Sequence, residues 1–346
     1  MIKPSVIAVV ILNWNGEELL NKFLPSVVNY STGNDIQIIV ADNDSTDNSV
    51  TSLKQNFPSV QILRLDRNYG FAVGYNKALA QINADYFVLL NSDAEVSENW
   101  IEPCIKRFEA DKKIAVIQPK ILSHNQPDTF EYAGATGGFI DKFGYPFCRG
   151  RILNRTEKDL GQYNESTQIF WASGACMFIR ADLFKEAGGF DGDFWAHMEE
   201  IDLCWRLKSM GYKIVYEPQS KIFHLGGGTL SYYDPRKVYL NFRNDLWMLF
   251  KNLPKDEFKR KFLIRMILDG VATVKFLFGF HFRSSWAVLK AHIALYKNLR
   301  HLFRKRREVQ KKVIVEHHPE IYAKSVMWKF FIQNKRKFSE LNFQPK

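Results

Sequence analysis

Residues 86–93 read YFVLLNSD, a short apolar run that ends in an asparagine, a serine and an aspartate. Two earlier stretches have the same form: residues 6–13 read VIAVVILN, and residues 36–42 read IQIIVAD. Apolar runs of this length, rich in β-branched residues, predict buried strands. Polar side chains that follow such strands predict a ligand site at the carboxyl edge of a parallel sheet.

Segments with helical periodicity separate these apolar runs. Strands are predicted at residues 6–12, 36–41, 60–65, 86–90 and 114–118, and helices at 17–28, 46–55, 71–82 and 97–109. This alternation predicts an α/β fold with a mostly parallel sheet and helices on both faces.

The pattern changes after residue 118. Glycines and aromatic residues interleave over 119–167, which predicts loops and short hairpins in a flap-like segment. Buried strand is predicted at 169–179, helices at 181–187 and 197–210, a strand at 212–217, and then a loop that carries His224 and the glycines 226–228. Beyond residue 234 the sequence becomes helical, aromatic and basic, which predicts an α/β domain over 1–235 and a helical extension over 236–346.

Charge is unevenly distributed along the 346 residues. Residues 1–235 contain 22 Lys+Arg and 29 Asp+Glu, whereas residues 236–346 contain 26 and 8, giving net charges of −7 and +18. The two parts are therefore expected to have different partners. The scattered cysteines form no C-x-x-C pair, which favours a reducing, cytoplasmic compartment. They are Cys104, Cys148, Cys176 and Cys204.

The most hydrophobic stretch, residues 262–280, is interrupted by Arg265, Asp269 and Lys275. Charges at this frequency argue against a spanning helix and favour an interfacial helix on an anionic membrane. The basic runs at 304–307 and 335–337 strengthen that expectation. The alternative is a helical extension that packs on the α/β domain with a solvated basic face. Nucleic acid is not an expected partner, because no recognised binding module is present and the α/β part is acidic.

Two polar segments follow predicted strands near the start of the chain. Residues 42–49, DNDSTDNS, suit a helix cap, and Asp42 can also accept hydrogen bonds from a base or ribose. Residues 67–76, RNYGFAVGYN, open a helix with glycines that allow an anion to approach, although no Walker lysine is present.

Asn91, Ser92 and Asp93 follow the strand quoted first. A carboxylate at this position can hold Mg²⁺ or Mn²⁺ and, through the ion, a diphosphate; the alternative is an Asx-turn. His224 lies beside three glycines, which suits either a metal or diphosphate role or a purely structural one.

Residues 197–206, HMEEIDLCWR, form an acidic cluster within a predicted helix. Adjacent glutamates point about 100° apart, so one of Glu199 and Glu200 is expected to face a reaction site. Asp202 and Arg206 are spaced to form an ion pair along the helix. The cluster could be a solvated face, but the aromatic residues around it favour a partly desolvated carboxylate suited to base catalysis.

In this order, the motifs resemble those of inverting family 2 glycosyltransferases, and the bacterial rhamnosyltransferase-like members most closely. The resemblance implies a GT-A fold, a dTDP-, UDP- or GDP-linked sugar donor and a divalent metal, Mn²⁺ or Mg²⁺. It extends over roughly residues 5–230, and the matching stretches are 10–16, 42–49, 68–76, 89–95, 172–177 and 188–206.

The resemblance also implies roles for individual residues. Glu200 occupies the position of the catalytic base, and Asp93 and His224 would bind the metal. Residues implied in nucleotide binding are Asn13, Trp14, Asp42, Asn68, Asn91, Ser92 and Asp93, with Asp42 at the base and Trp14 as a stacking face. Residues implied in acceptor binding are Trp171, Glu199 and Asp202.

Two positions depart from the family pattern. Asn91 replaces an aspartate at the start of the metal motif, and the longer Glu200 replaces an aspartate at the base, which leaves Glu199 as a rival. The resemblance and the charge together predict transfer to a glycan or lipid-linked acceptor in surface polysaccharide assembly, at the inner face of the cell membrane. The alternatives are an inactive, sugar-nucleotide-binding assembly subunit and a nucleotidyltransferase, although the basic glycine-rich signature loop of the latter is missing.

Overall fold

A computed structural model describes residues 5–226 and 234–344. The strands are β1 (Ile7–Asn13), β2 (Ile36–Asp42), β3 (Gln61–Arg64), β4 (Tyr86–Leu90), β5 (Ala94–Val96), β6 (Ile114–Ser123), β7 (Gly138–Asp141), β8 (Pro146–Cys148), β9 (Arg151–Ile152), β10 (Arg155–Thr156), β11 (Thr167–Gln168), β12 (Cys176–Arg180), β13 (Lys213–His224) and β14 (Ile321–Tyr322).

The helices are α1 (Glu17–Tyr30), α2 (Ser49–Asn56), α3 (Gly70–Leu79), α4 (Glu102–Ala110), α5 (Ala181–Glu186), α6 (Glu199–Ser209), α7 (Pro235–Asn252), α8 (Lys255–Phe278), α9 (Phe282–Lys297), α10 (Leu299–Gln310) and α11 (Val326–Phe331). Short 3-10 helices occur at Gly192–Phe194 and Phe338–Leu341.

The central sheet has the strand order β11-β13-β6-β12-β4-β1-β2-β3, and β5 pairs with β13. β1 is parallel to both β2 and β4, whereas β12 is antiparallel to β4 and β6. Side chains of β1 alternate between two cores. Ile7, Val9 and Ile11 pack towards α1, α2 and α4, while Ala8 and Val10 pack towards α3, α5 and α6. The predicted α/β fold, a mixed sheet with helices on both faces, is confirmed.

The second half of the sheet differs from the sequence prediction in two places. Only the end of the predicted strand at 169–179 is regular, as β12. β13 is twice as long as predicted and ends at His224, so the expected loop at that residue is wrong. The pairing of β13 with β6 shifts register between Glu217 and Lys221, around Pro218. The alternating sequence pattern of a strand is interrupted there, so the prediction ends too early. Of the predicted glycine loop, residues 227–228 lie outside the described residues.

Hairpins predicted over 119–167 are present as a second sheet of order β10-β9-β8-β7-β14. Its last strand, β14, comes from the C-terminal part of the chain and runs parallel to β7. The α7 helix begins at the predicted boundary, where Asp234 accepts hydrogen bonds from the backbone N–H groups of Arg236 and Lys237. The two parts of the chain share one hydrophobic core, which includes Trp205 of α6 and Leu246 of α7. Within the described ranges, no helix combines the length and hydropathy needed to cross a bilayer.

Candidate active site

Two buried polar side chains mark the carboxyl edge of the central sheet. Asn13 and Asp42 end β1 and β2 and are partners in register. Asn13 donates from Nδ2 to Asp42 Oδ1 over 3.4 Å and to Ser45 Oγ over 3.1 Å. Its Oδ1 is buried without a hydrogen-bond partner among the residues described, and a Cβ at Gly16 would lie 2.5 Å from that oxygen. Glycine at position 16 therefore allows its backbone to approach this acceptor closely. 

The loop before α3 is held beside this edge by two asparagines. Asn43 donates to Asn68 Oδ1 and to Gly70 O over 3.1 and 3.2 Å, and it accepts from Tyr69 N over 3.0 Å. Asn68 Oδ1 also accepts from Gly70 N over 2.8 Å. The side chain of Asn68 thus shapes the loop itself. Trp14, by contrast, is exposed and able to offer a ring face to a ligand.

Asp93 and His224, predicted as metal ligands from distant positions in the sequence, lie together. β5 follows Asp93 directly and pairs with the end of β13, which places Asp93 Oδ1 3.0 Å from His224 Nε2. Asn91 Nδ2 lies 3.3 Å from the same nitrogen. Burial raises the pKa of Asp93, but the hydrogen bond and charge of His224 outweigh it and leave that pKa below the usual value. Ser92 is half-buried and lies on the side of Gly16.

Glu131 is a member of this cluster that the sequence did not reveal. Its Oε2 lies 3.4 Å from His224 Nδ1, on the opposite side of the ring from Asp93. Burial would lower the pKa of His224, yet the hydrogen bonds and charges of Asp93 and Glu131 raise it to about 10. Gly226, at a φ of +56°, is required nearby because a Cβ there would lie 2.6 Å from Glu131 Oε1. No sequence signal marked Glu131, since it comes from the irregular segment between β6 and β7.

The donor atoms of this cluster suit a divalent ion. A carboxylate oxygen and an imidazole nitrogen 3.0 Å apart can both contact one ion at about 2.1–2.2 Å, provided that the ion replaces the proton on His224 Nε2. Carboxylates favour Mg²⁺ and Mn²⁺, and an imidazole nitrogen favours Mn²⁺ of these two. Glu131, on the other ring nitrogen, would fix the orientation of His224, as outer-shell carboxylates commonly do.

The predicted base lies at the first turn of α6. Glu200 is partly exposed, and burial raises its pKa to about 7. Glu199 is 5% exposed, and burial together with the charge of Glu200 raises its pKa well above the usual value. Each glutamate has one buried oxygen without a hydrogen-bond partner in the described part of the chain. Of the two, Glu200 is therefore the more accessible and the closer to half-ionised near neutral pH.

The structure places the two other predicted acceptor residues in the interior. Asp202 is fully buried; it accepts from Arg206 over 2.9 Å, confirming the predicted pair, and from Asn252 over 2.8 Å, and it lies 2.9 Å from Lys251 Nζ. Trp171 is 3% exposed and donates from Nε1 to Phe139 O over 2.9 Å. Neither side chain is at a surface that an acceptor could reach in this conformation, because the core covers both.

Two connections join the sheet edge to α6. The first is electrostatic: burial raises the pKa of Cys148 and Arg151 opposes this, while the charges of Glu131 and Glu200 each add a smaller increase. On the other side, Trp195 O accepts from Phe71 N over 3.1 Å at the start of α3. A Cβ at Gly70 would lie 2.9 Å from the Trp195 ring. The carbonyl group of Trp195, shortly before α6, thus holds the start of α3.

A mixed α/β sheet of this order, with polar residues at the carboxyl edge, defines the class of GT-A glycosyltransferases. The model of the family described as Glycosyl transferase family 2 matches residues 8–188, more than half of the chain. The protein belongs to this family and is a glycosyltransferase.

Among curated proteins, the chain is similar to an N-acetylglucosaminyl-diphospho-decaprenol L-rhamnosyltransferase of Mycobacterium tuberculosis. The two are 25% identical over 238 residues, 64% of this chain and 76% of that protein. It is also similar to the rhamnosyltransferase WbbL of Escherichia coli, at 26% identity over 45% of this chain and 61% of WbbL.

Solved structures with the same fold have lower sequence identity. GalNAc-T7 with UDP, GalNAc and Mn²⁺ is 17% identical, with a TM-score of 0.58 over 75% of this chain and 50% of that chain. The mannosyltransferase PcManGT of Pyrobaculum calidifontis, with GDP-Man and Mn²⁺, is 13% identical, with a TM-score of 0.52 over 86% and 76%. At these identities the likeness shows the fold alone.

Proposed function

We propose that this glycosyltransferase moves a sugar from a nucleotide-diphosphate donor to a hydroxyl group of a lipid-linked glycan, with inversion at the anomeric carbon and Glu200 as the base. The observation that carries the proposal is the pKa of Glu200, about 7, on a side chain that remains partly exposed. A base with a pKa near the working pH combines a useful ionised fraction with a strong affinity for the proton.

The reaction is a single displacement. Glu200 accepts the proton of the acceptor hydroxyl while the hydroxyl oxygen bonds to the anomeric carbon. The bond from that carbon to the diphosphate oxygen breaks on the opposite face, and the nucleoside diphosphate leaves with its electron pair. The product carries the new glycosidic bond, and Glu200 returns its proton to solvent.

The donor would occupy the carboxyl edge of the sheet. Asp93 and His224 would hold Mn²⁺ or Mg²⁺, which when bound neutralises negative charge on the diphosphate. Because Asn91 is neutral, the protein supplies one carboxylate rather than two. Residues proposed to surround the nucleotide are Asn13, Trp14, Asp42, Asn68, Asn91 and Ser92.

The acceptor side of the site centres on α6. Glu200, the most exposed of these residues, would contact the acceptor, whereas Glu199, Asp202 and Trp171, each at most 5% exposed, would support α6 from behind. The names of two relatives make L-rhamnose the first donor sugar to test.

The direct test is thermal unfolding with dTDP, UDP or GDP, each with and without Mn²⁺. A diphosphate at about 100 times its dissociation constant adds about 2.7 kcal/mol to the free energy of unfolding. We expect one nucleotide to stabilise the protein, and only with Mn²⁺. The substitution Asp93→Ala should abolish this metal-dependent stabilisation. Glu102→Ala is the matched control, because Glu102 is exposed and pairs with Lys106 on the surface of α4.

Transfer assays complete the test. Stabilisation by a nucleotide without turnover of any sugar donor would support the inactive, sugar-nucleotide-binding subunit instead. The neutral Asn91 favours that second function. Metal-independent stabilisation that survives Asp93→Ala would contradict the assigned metal site.

A further inference from the structure

The antiparallel pair α8 and α9 carries a row of large apolar side chains on its outer side. They are exposed on both helices and on the turn that joins them. On α8 they are Leu263, Ile267, Val271, Val274, Leu277 and Phe278; on the turn, Phe280; on α9, Phe282, Trp286, Leu289, Ile293 and Tyr296. We call this surface the hairpin face.

The spacing of these residues follows the helix period. Successive members on each helix are mostly three or four positions apart, so each set forms one continuous stripe. The opposite side of α9 packs inward through Ala287, Val288, Ala291 and Leu295, which are buried. The hairpin face is therefore the side that neither helix uses for folding.

The charges within residues 262–280 are arranged differently from what the sequence suggested. Arg265 is 1% exposed and forms ion pairs of 2.8 Å with Asp245 and with Asp269. Its guanidinium group also lies 4.1 Å from the centre of the Tyr145 ring. Two of the three charges thought to interrupt this hydrophobic stretch thus point into the protein. The surface they leave outside is more apolar than the sequence alone indicates.

Basic residues border the hairpin face. Arg283, Lys290 and Lys297 are exposed on α9, beside its apolar stripe. Lys275 of α8 is exposed and lies 4.0 Å from the centre of the Phe331 ring on α11, next to the exposed Trp328. Aromatic and aliphatic side chains framed by lysine and arginine are typical of helices that lie in the headgroup region of a bilayer.

Charge also distinguishes between two possible partners of the hairpin face, an anionic bilayer and a second copy of the chain. Residues 236–346 carry a net charge of +18. Two such regions brought face to face would repel each other, whereas an anionic lipid surface attracts each basic residue by about 1 kcal/mol. The charge complement of this face is therefore an anionic bilayer.

We propose that the hairpin face is a membrane-insertion surface, with Phe278, Phe280 and Phe282 at its tip entering the acyl boundary of an anionic bilayer. The helices lie in the interface, and the bordering lysines and arginines remain at headgroup level. This membrane-insertion surface deepens the proposed function. It rests on that function in one respect only: the enzyme and a lipid-linked acceptor would share one membrane surface.

The experiment is sedimentation of the full chain with vesicles that contain about 30 mol % phosphatidylglycerol in phosphatidylcholine, or phosphatidylcholine alone. We expect binding to the anionic vesicles, weakened by added salt because exposed charges are screened. The triple substitution Phe278→Ser, Phe280→Ser and Phe282→Ser should lower the partition constant at least about tenfold, since it removes apolar area from the inserted tip. Leu160→Ser is the matched control, because Leu160 is 83% exposed on the α/β domain.

The result that overturns the proposal is unchanged vesicle binding by the triple variant, or no binding by the parent chain. A dimer of the parent chain that the triple variant dissociates would overturn it too, and would assign the face to a second copy. Nucleotide-dependent thermal stabilisation, measured on the same samples, confirms that the variant is folded. Because vesicle binding needs no donor, failure of the glycosyltransfer assay is a separate outcome.

Discussion

Glu199 and Glu200 are adjacent in sequence but differ in environment. Both carboxyl groups have raised pKa values because both are partly or fully removed from water, and the charge of Glu200 raises the pKa of Glu199 further. Glu199 is nearly inaccessible, whereas Glu200 is half-buried. The more exposed carboxyl group, that of Glu200, is the better placed to exchange a proton with an acceptor.

The first prediction concerns the pH dependence of transfer. Glu200 acts in its ionised form, so the rate should rise with pH below about 7 and become level above it. Glu200→Gln should lower kcat by about 10²- to 10⁴-fold and remove this dependence. Nucleotide binding, measured by thermal shift, should remain as in the parent protein. The check is the rate of donor turnover across pH 5 to 9, an interval of about two pH units on each side of the pKa.

Glu199→Gln supplies the comparison for this prediction. It removes the neighbouring carboxyl group but keeps the size of the side chain. Because burial raises the pKa of Glu200, that pKa and the pH dependence of the rate should stay as in the parent protein. Full activity in Glu200→Gln, with loss in Glu199→Gln, would assign the base to Glu199.

The residues of the candidate site also show which positions could be predicted from the sequence and which could not. Asp93 and His224 were predicted because each follows an apolar run and matches a family motif, and the structure brings them together. Glu131 has no such signal. It reaches His224 only because the irregular segment between β6 and β7 folds back along the end of β6, which pairs with the end of β13. Contacts of this kind depend on tertiary structure, which local patterns do not encode.

At the scale of elements, the segment that leads into α6 is under backbone strain. Trp195, His197 and Met198 all have φ values of +62° to +72°, a region that side chains other than glycine rarely adopt. Asn244 of α7 holds this segment by donating to the carbonyl oxygens of Phe194, Ala196 and His197 over 2.7–3.0 Å. A helix of the C-terminal region thus fixes the residues that immediately precede the proposed base.

The second prediction concerns the hydrogen bonds that Asn244 donates to this segment. Asn244→Ala removes the side-chain donor to Ala196 O and His197 O, whereas Phe194 O still accepts from Arg243 and from Ala196 N, and it should lower the free energy of unfolding by about 1–3 kcal/mol. It should also lower kcat, because the first turn of α6 loses its fixed starting point. Asn298→Ala is the control, since the Asn298 amide, just after α9, donates to Ala294 O of that helix, away from α6. Unchanged kcat in Asn244→Ala, with stability lowered, would restrict Asn244 to a structural role.

Helices and strands could be predicted from the sequence where a single pattern, such as a short apolar run, extends over the whole segment. The strands β1, β2, β3 and β4 are short apolar runs, and they lie within one or two residues of the predicted bounds. β13 was truncated in the prediction because Pro218 falls at an irregularity that lets the strand continue beyond it. The charged positions of α8 were misinterpreted for a different reason: their partners, such as Asp245, belong to another helix.

At the scale of the molecule, the basic C-terminal region is built into the catalytic core. β14 extends the second sheet, and Lys251 of α7 forms an ion pair with Asp202 of α6 over 2.9 Å. Lys208 of α6 forms another, 2.9 Å from Glu320, just before β14. Both side chains of this last pair are at least 96% buried. The change in composition near residue 235 therefore marks a change of structure but not a boundary between independent cores.

The third prediction tests this integration through the Lys208–Glu320 pair. Either Lys208→Met or Glu320→Met leaves one buried charge without its partner and should lower the free energy of unfolding by about 3–5 kcal/mol. The double variant removes both charges and should lose less than the sum of the single variants. Denaturant unfolding of the four proteins gives the coupling free energy. The exposed pair Lys106–Glu102, at 2.7 Å, is the control and should give about 0–1 kcal/mol. A coupling free energy near zero for Lys208 and Glu320 would mean that the C-terminal segment leaves α6 in solution, and that the helical region can move apart from the site it now supports.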